Sequence, residues 1–232
     1  MPSALIKADG LHSYYGSSHV LHGVSFTVRR GEAAGLMGRN GMGKTTLLRT
    51  ILGFVRPRRG TVMVDGRVIT HEVPWRIARL GIAYVPEGRG IFPNLSVLEN
   101  LVMAARPGPW NLARVLKNFP RLAERIAYGG AQLSGGEQQM LTIGRALLTN
   151  LRLLILDEVT EGLAPKIAQE IWALLRQVRA SGIATVVVDK NFAAVNAGTD
   201  RNVILVKGEV AYEGGSHELL AAPGIRASHL GV

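Results

Sequence analysis

The chain has 232 residues, 47% of them hydrophobic, and contains no cysteine. That length suits one large domain or a core with a subdomain, and the missing thiols exclude a disulfide framework and a cysteine-based zinc site. Its 27 basic and 17 acidic residues give a net charge of +10, and no apolar run reaches the 18 residues that a membrane span needs.

The arginines are scattered, with small clusters at Arg29 and Arg30 and at Arg56, Arg58 and Arg59. Such scatter reads as a solvated face, with a nucleic-acid or anionic-lipid surface as the alternative. The opening MPSALIKADG lacks the basic-then-apolar pattern of a leader, which with the absent cysteines favours the cytosol.

In chain order, residues 24–28 alternate as a strand and 33–37 form a short apolar strand. The next residues, Gly38, Arg39, Asn40, Gly41, Met42, Gly43, Lys44, Thr45 and Thr46, match the pattern G-x-x-x-x-G-K-[ST]. Glycines let the backbone curl close to polyphosphate oxygens. A helix opening there offers unpaired N–H groups and a positive dipole end. Lys44 then reaches the β and γ phosphates and the Thr45 hydroxyl ligates Mg²⁺. A helix over 46–52, closed by Gly53, is the context this loop requires.

Residues 61–64 and 67–69 read as a hairpin around an Asp65–Gly66 turn. Residues 82–85 form another strand, ended by Pro86. Ser96 and Glu99 make a capping box. Pro107, Gly108 and Pro109 break the chain, two short helices flank Pro120, and a loop at 128–130 leads to a helix over 136–148. From 153 the pattern alternates: a strand, a helix over 166–179, a strand over 183–188, a helix from 191, strands over 202–206 and 209–212, and a last helix near Ser216. Alternation of this kind implies a parallel sheet covered on both faces. The stretch 87–150 looks inserted into it.

Two further motifs bear on chemistry. Leu153 to Leu156 is a buried strand that ends in Asp157 and Glu158. Ligands sit beyond the carboxyl ends of such strands, so Asp157 meets the Mg²⁺ held by Thr45. Glu158 is placed to polarise or deprotonate a water attacking the γ phosphate. Ser134, Gly135 and Gly136 open the preceding helix and form a second anion-seeking helix end.

Taken in this order and spacing, Gly38 to Thr45, Leu133 to Gln138 and Leu154 to Glu158 resemble the nucleotide-binding subunit of ABC transporters. Among these the chain is most similar to the smaller-type ATPase subunit of branched-chain amino-acid importers. That similarity rests on Tyr84, Val85, Pro86, Glu87, Gly88 and Arg89, on Phe119 to Leu122, on Gly136 to Leu141, on Gly162 to Pro165 and on His229 to Gly231.

The resemblance implies an α/β P-loop NTPase: a parallel-sheet core with an antiparallel β subdomain (1–86 and 151–232) and an inserted helical subdomain (87–150). It implies ATP and Mg²⁺ as ligands and hydrolysis coupled to transport. Tyr15 would stack on adenine, with Tyr14 as substitute, and Glu87 would join Thr45 and Asp157 at the metal. Ser134, Gly135 and Gly136 of one subunit would cap the ATP of another in a head-to-tail pair of like or unlike chains. Membrane permeases would be direct partners, a periplasmic solute-binding protein an indirect one, and the cytoplasmic face of the inner membrane the location. Two departures stand out. Lys190 occupies the switch position where the family has His or Gln, and brings a full positive charge without an acceptor. Val159 replaces the usual proline, which predicts a looser backbone. Alternatives are an ABC ATPase acting on nucleic acid or ribosomes, and a weakly hydrolysing regulatory subunit. Trp75, Trp110 and Trp172 read as packing anchors, with Trp110 in a loop that can touch a partner. The H-x-x-H spacing of His19 and His22 is not taken as a metal site.

Overall fold

A bulge hides the first strand from any simple periodicity. In the computed structural model, which describes residues 3–88 and 90–231, Ala4–Tyr15 (β1) pairs antiparallel with Ser18–Arg29 (β2). The register shifts between Ala8 and Leu11, where Gly10 has a φ of 56°. The apolar alternation therefore changes phase midway, and the sequence reading caught only part of β2. Ala33–Met37 (β3) is five buried residues leading through the glycine-rich loop into Lys44–Ile51 (α1). Arg59–Val64 (β4) and Arg67–Val68 (β5) form the expected hairpin. Asp65 and Gly66 both have positive φ, 49° and 77°, as a two-residue hairpin turn requires.

Pro74–Arg79 (α2) precedes Ile82–Val85 (β6), and Val97–Val102 (α3), Leu112–Asn118 (α4), Pro120–Glu124 (α5) and Gly135–Leu147 (α6) follow. Ser96 caps α3: its Oγ accepts the Glu99 N–H at 3.2 Å, and the Glu99 carboxylate accepts the Ser96 N–H at 2.7 Å. Then come Leu153–Asp157 (β7), Pro165–Ala180 (α7), Ala184–Val188 (β8) and Phe192–Gly198 (α8). Arg201–Val206 (β9), Glu209–Gly215 (β10), Ser216–Leu220 (α9) and Pro223–His229 (α10) end the described chain. Helices α2 and α10 went unread because six or seven residues are too few to display a helical period.

Two sheets result. The smaller is antiparallel, in the order β2-β1-β4-β5. The larger runs β10-β9-β3-β8-β7-β6 and is parallel except for β10. Its strands alternate between two cores. Leu154, Leu156 and Val187 pack with Leu101, Val115, Phe119 and Leu141 from the helical stretch. Leu153, Ile155, Val186 and Val188 pack with Leu5, Phe26 and Leu47 from the antiparallel sheet and α1. Burial on both faces is why β7 is apolar at every position before Asp157 and β8 at every position but Thr185. This is an α/β fold with a parallel-sheet core, an antiparallel sheet on one face and a helical insert between β6 and β7.

The tryptophans divide. Trp110 is fully buried, with the Arg114 guanidinium 3.9 Å above its ring, and Trp172 is largely buried. Trp75 is no packing anchor: it is 54% exposed on α2, with Arg76 and Arg79 over its ring at 5.2 and 4.8 Å. Trp110 belongs to the helical-side core rather than to an exposed loop surface. Truncating it to alanine is expected to cost about 3–5 kcal/mol of stability. Urea unfolding with an unchanged m-value would register this as a lowered midpoint.

Candidate functional site

Neighbouring strands β3, β8 and β7 run parallel, so their carboxyl ends share one edge of the sheet. The glycine-rich loop, the Asp157–Glu158 pair and Asp189–Lys190 lie at those ends by topology alone. The loop is supported from behind. Gly38 has a φ of 140°, and a Cβ there would stand 2.4 Å from the Leu205 carbonyl. The Met42 carbonyl accepts the Gly208 N–H at 3.1 Å, and its sulfur accepts the Lys207 N–H at 3.2 Å. The Arg39 guanidinium lies against Gly231. Gly38, Arg39 and Met42 thus brace the loop. Asn40, Gly41, Gly43, Lys44, Thr45 and Thr46 line a cavity of about 380 Å³, together with Val20, Glu87, Glu158 and Lys190.

The first bond of α1 runs from the Leu47 N–H to the Gly43 carbonyl, 2.9 Å. The N–H groups of Lys44, Thr45 and Thr46 therefore lie outside the helix ladder. Lys44 is buried. Its Nζ donates to the carbonyls of Gly38 and Arg39 at 2.8 and 3.1 Å and stands 3.9 Å from Glu158. Burial lowers its pKa, while the charges of Glu158 and Asp157 oppose that shift.

Asp157 is 1% exposed. Its Oδ2 accepts the Tyr84 hydroxyl at 3.0 Å, but its buried Oδ1 has no hydrogen-bond partner. A buried carboxylate oxygen is rarely left this way, and a hard divalent cation is the group that would satisfy it. The Thr45 hydroxyl and the Glu87 carboxylate supply further oxygen donors on the cavity wall. The donor set is all oxygen and fits Mg²⁺.

Glu158 has a φ of 52° and is held there by its N–H, which donates to the Val188 carbonyl at 2.8 Å. Strain of this kind persists only where surrounding contacts over-determine it. Its pKa is pushed up to about 7, first by burial and then by a hydrogen bond with Glu161, against the pull of Lys44 and Lys190. Carboxylate oxygens of Glu87, Glu158 and Glu161 lie within 4.8 Å of one another. Val159 is buried, at 2% exposure.

Lys190 lies on the cavity wall, where its ammonium bonds Glu161 and stands 3.7 Å from Glu158. Glu161 lowers its own charge cost through Glu158 and Lys190, which hold its carboxyl below the usual range. Tyr15 is 45% exposed, and its proximity to Arg49 of α1 raises the Arg49 pKa. Tyr14 is occupied otherwise: its ring stacks on His19 at 4.1 Å, and Arg58 lies 4.0 Å over it. Tyr15 is therefore the ring left open to a ligand.

Ser134, Gly135 and Gly136 do not line the cavity. Ser134 Oγ accepts the Glu137 N–H and the Glu137 carboxylate accepts the Ser134 N–H at 2.8 Å, closing a capping box at the start of α6. Gly136 has a packing reason, since a Cβ there would press on Ile167 of α7 at 3.0 Å. Arg89 lies outside the described residues. Sequence reasoning missed Tyr84 and Glu161 as site residues. The register of β6 on β7, with Tyr84 opposite Ile155, is what brings the first to Asp157.

Comparison with known proteins agrees with this geometry. A family model described as ABC transporter matches residues 21–161. The chain is 38% identical to the high-affinity branched-chain amino acid transport ATP-binding protein BraG of Pseudomonas aeruginosa, over 98% of this chain and 100% of that one. It is 33% identical to the lipopolysaccharide export system ATP-binding protein LptB of Acidithiobacillus ferridurans, over 99% and 98%. A solved nucleotide-free ATP-binding cassette from an ABC transporter superposes with a TM-score of 0.83 at 26% identity, over 96% of each chain.

The Tyr84–Asp157 bond can be tested apart from any ligand. Replacing Tyr84 by Phe leaves both buried Asp157 oxygens without a donor. A stability loss of about 1–3 kcal/mol is expected. Thermal unfolding of the nucleotide-free protein would detect it, and an unchanged Tm would show that water replaces the hydroxyl.

Proposed function

The chain belongs to the ABC transporter family of ATP-binding proteins, and from that premise we propose that it is the ATPase subunit of an importer for branched-chain or related amino acids. The observation that carries the amino-acid reading is the 38% identity spanning the full length of both chains. The similar coverage of an export subunit keeps a lipid-export assembly as the second reading.

Within this proposal the residues divide the work. The N–H groups at the start of α1 and the Lys44 ammonium bind the β and γ phosphates. Exchanging the Gly38 and Arg39 carbonyls for phosphate oxygens lets Lys44 turn toward the nucleotide. Tyr15 stacks on adenine. When bound, Mg²⁺ neutralises charge developing on the phosphates. Asp157, Thr45 and Glu87 would hold it. Glu158 takes the proton of the attacking water, and its pKa near 7 matches that task at neutral pH. Lys190 offers positive charge to the γ phosphate in place of a neutral switch residue.

Among the described residues, Ser134, Gly135 and Gly136 of the same chain are not in the lining of this cavity, so its cap comes from elsewhere. We assign that role to Ser134, Gly135 and Gly136 of a second ATPase subunit, like or unlike, placed head to tail. ATP then favours the closed pair over the open one. A second cavity, about 660 Å³ and mostly apolar, lies between α2, β6 and α6. It displays Phe54, Trp75 and Met103, each more than half exposed, and suits a short helix of a membrane permease. The nucleic-acid reading loses support because Arg30, Arg125, Arg152, Arg179 and Arg201 are engaged with acidic side chains.

Glu158→Gln is expected to lower turnover by at least about 10²-fold while ATP binding persists, measured on the assembled transporter. Hydrolysis near the wild-type rate would remove Glu158 from its role. For the solute, uptake of labelled leucine, isoleucine and valine is expected to fail in cells lacking this chain. The wild-type gene restores it and Lys44→Ala does not. Unchanged uptake would overturn the amino-acid reading and leave the ATPase assignment standing.

A further inference from the structure

Two side-chain links tie the loop after β7 to the segment after β8. The Thr160 hydroxyl and N–H both donate to Asp189 Oδ2. One residue further along each segment, the Lys190 ammonium bonds the Glu161 carboxylate. Thr160–Asp189 is partly buried, whereas Lys190 and Glu161 are 49% and 41% exposed. The two links are therefore unequal. An exposed ion pair contributes little and exchanges partners readily, while the adjacent bond keeps the segments together when it does.

Lys190 also faces the phosphate cavity, on the same wall as Lys44 and Thr45. Its three N–H donors are shared among acids: Glu161 in contact and Glu158 at 3.7 Å. No acceptor on the glycine-rich loop holds it, in contrast with Lys44, which two loop carbonyls anchor. An arriving terminal phosphate brings more negative charge than one carboxylate and presents it to the same ammonium.

We infer that Glu161 is a positioning residue that competes with the terminal phosphate of ATP for Lys190, so that ATP, and not ADP, opens this half of the clasp. ADP ends one phosphate short and leaves the Lys190–Glu161 pair closed. The clasp thereby sets how strongly the empty site prefers the triphosphate. It also couples phosphate binding to the freeing of the Glu161 carboxylate, while Thr160 stays bound to Asp189 at the β8 end. This inference rests on the phosphate-loop reading above and adds a determinant of ATP-over-ADP preference that lies outside the loop.

The test is a double-mutant cycle on the full chain, reading Mg²⁺-ATP and Mg²⁺-ADP affinities by calorimetry. Glu161→Gln is expected to tighten ATP roughly two- to fivefold, the scale of an exposed ion pair, and to leave ADP unchanged. In a Lys190→Gln background the same Glu161→Gln change is expected to leave the ATP-to-ADP ratio unmoved, because no ammonium remains to be freed. Equal tightening of ATP and ADP, or the same gain with and without Lys190, would overturn the clasp and point to general charge repulsion by Glu161. Lys44→Ala separates the two readings. Full ATP affinity in that variant would overturn the phosphate-loop reading and the clasp together. Lost affinity there, with an unmoved ratio in Glu161→Gln, overturns the clasp alone.

Discussion

Charge held out of water at the carboxyl edge of the parallel sheet is the constraint on which this protein turns. Lys44 and Asp157 are both more than nine-tenths buried, and Glu158 is nearly so. Isolated charges in such a setting are costly, and each here is compensated differently. Lys44 has two loop carbonyls and a carboxylate nearby. Asp157 has one tyrosine hydroxyl and an oxygen left open. Glu158 moves its pKa upward. The incomplete compensation fits the polyphosphate and divalent cation proposed for this site.

That edge exists because the sheet is covered twice. The alternation of Leu154 and Leu156 with Leu153 and Ile155 sends side chains into separate cores. The helical insert closes one core and the antiparallel sheet the other. With both faces packed, charged groups leave at the strand ends: Asp157 closes β7, and Asp189 and Lys190 follow β8. The braces behind the glycine-rich loop come from Leu205 at the end of β9 and from Lys207 and Gly208 in the turn to β10, which sits beside the loop and steadies it.

The two lysines of the site illustrate how context divides a single chemistry. Lys44 is enclosed, and backbone carbonyls anchor it in the empty site. Lys190 is half exposed and tied only to side chains, so its partner can change. A clasp made of one firm and one exchangeable link converts that difference into a response to the last phosphate of a nucleotide.

Short motifs and apolar runs determined much of this protein on their own: the glycine-rich loop, the buried strand with its terminal acids, the hairpin at Asp65 and Gly66, and the parallel core. Each depends on neighbours within a few residues, where local sterics and hydrogen bonding act. Tertiary structure alone decided the rest. It gave Tyr84 to Asp157 and Glu161 to Lys190, chose Tyr15 over Tyr14 as the open ring, and turned Trp75 outward. It also set Arg39 and Met42 behind the loop and explained Gly136 by Ile167. These outcomes depend on strand register and on packing between elements far apart in the chain, and no periodicity in one segment carries that information.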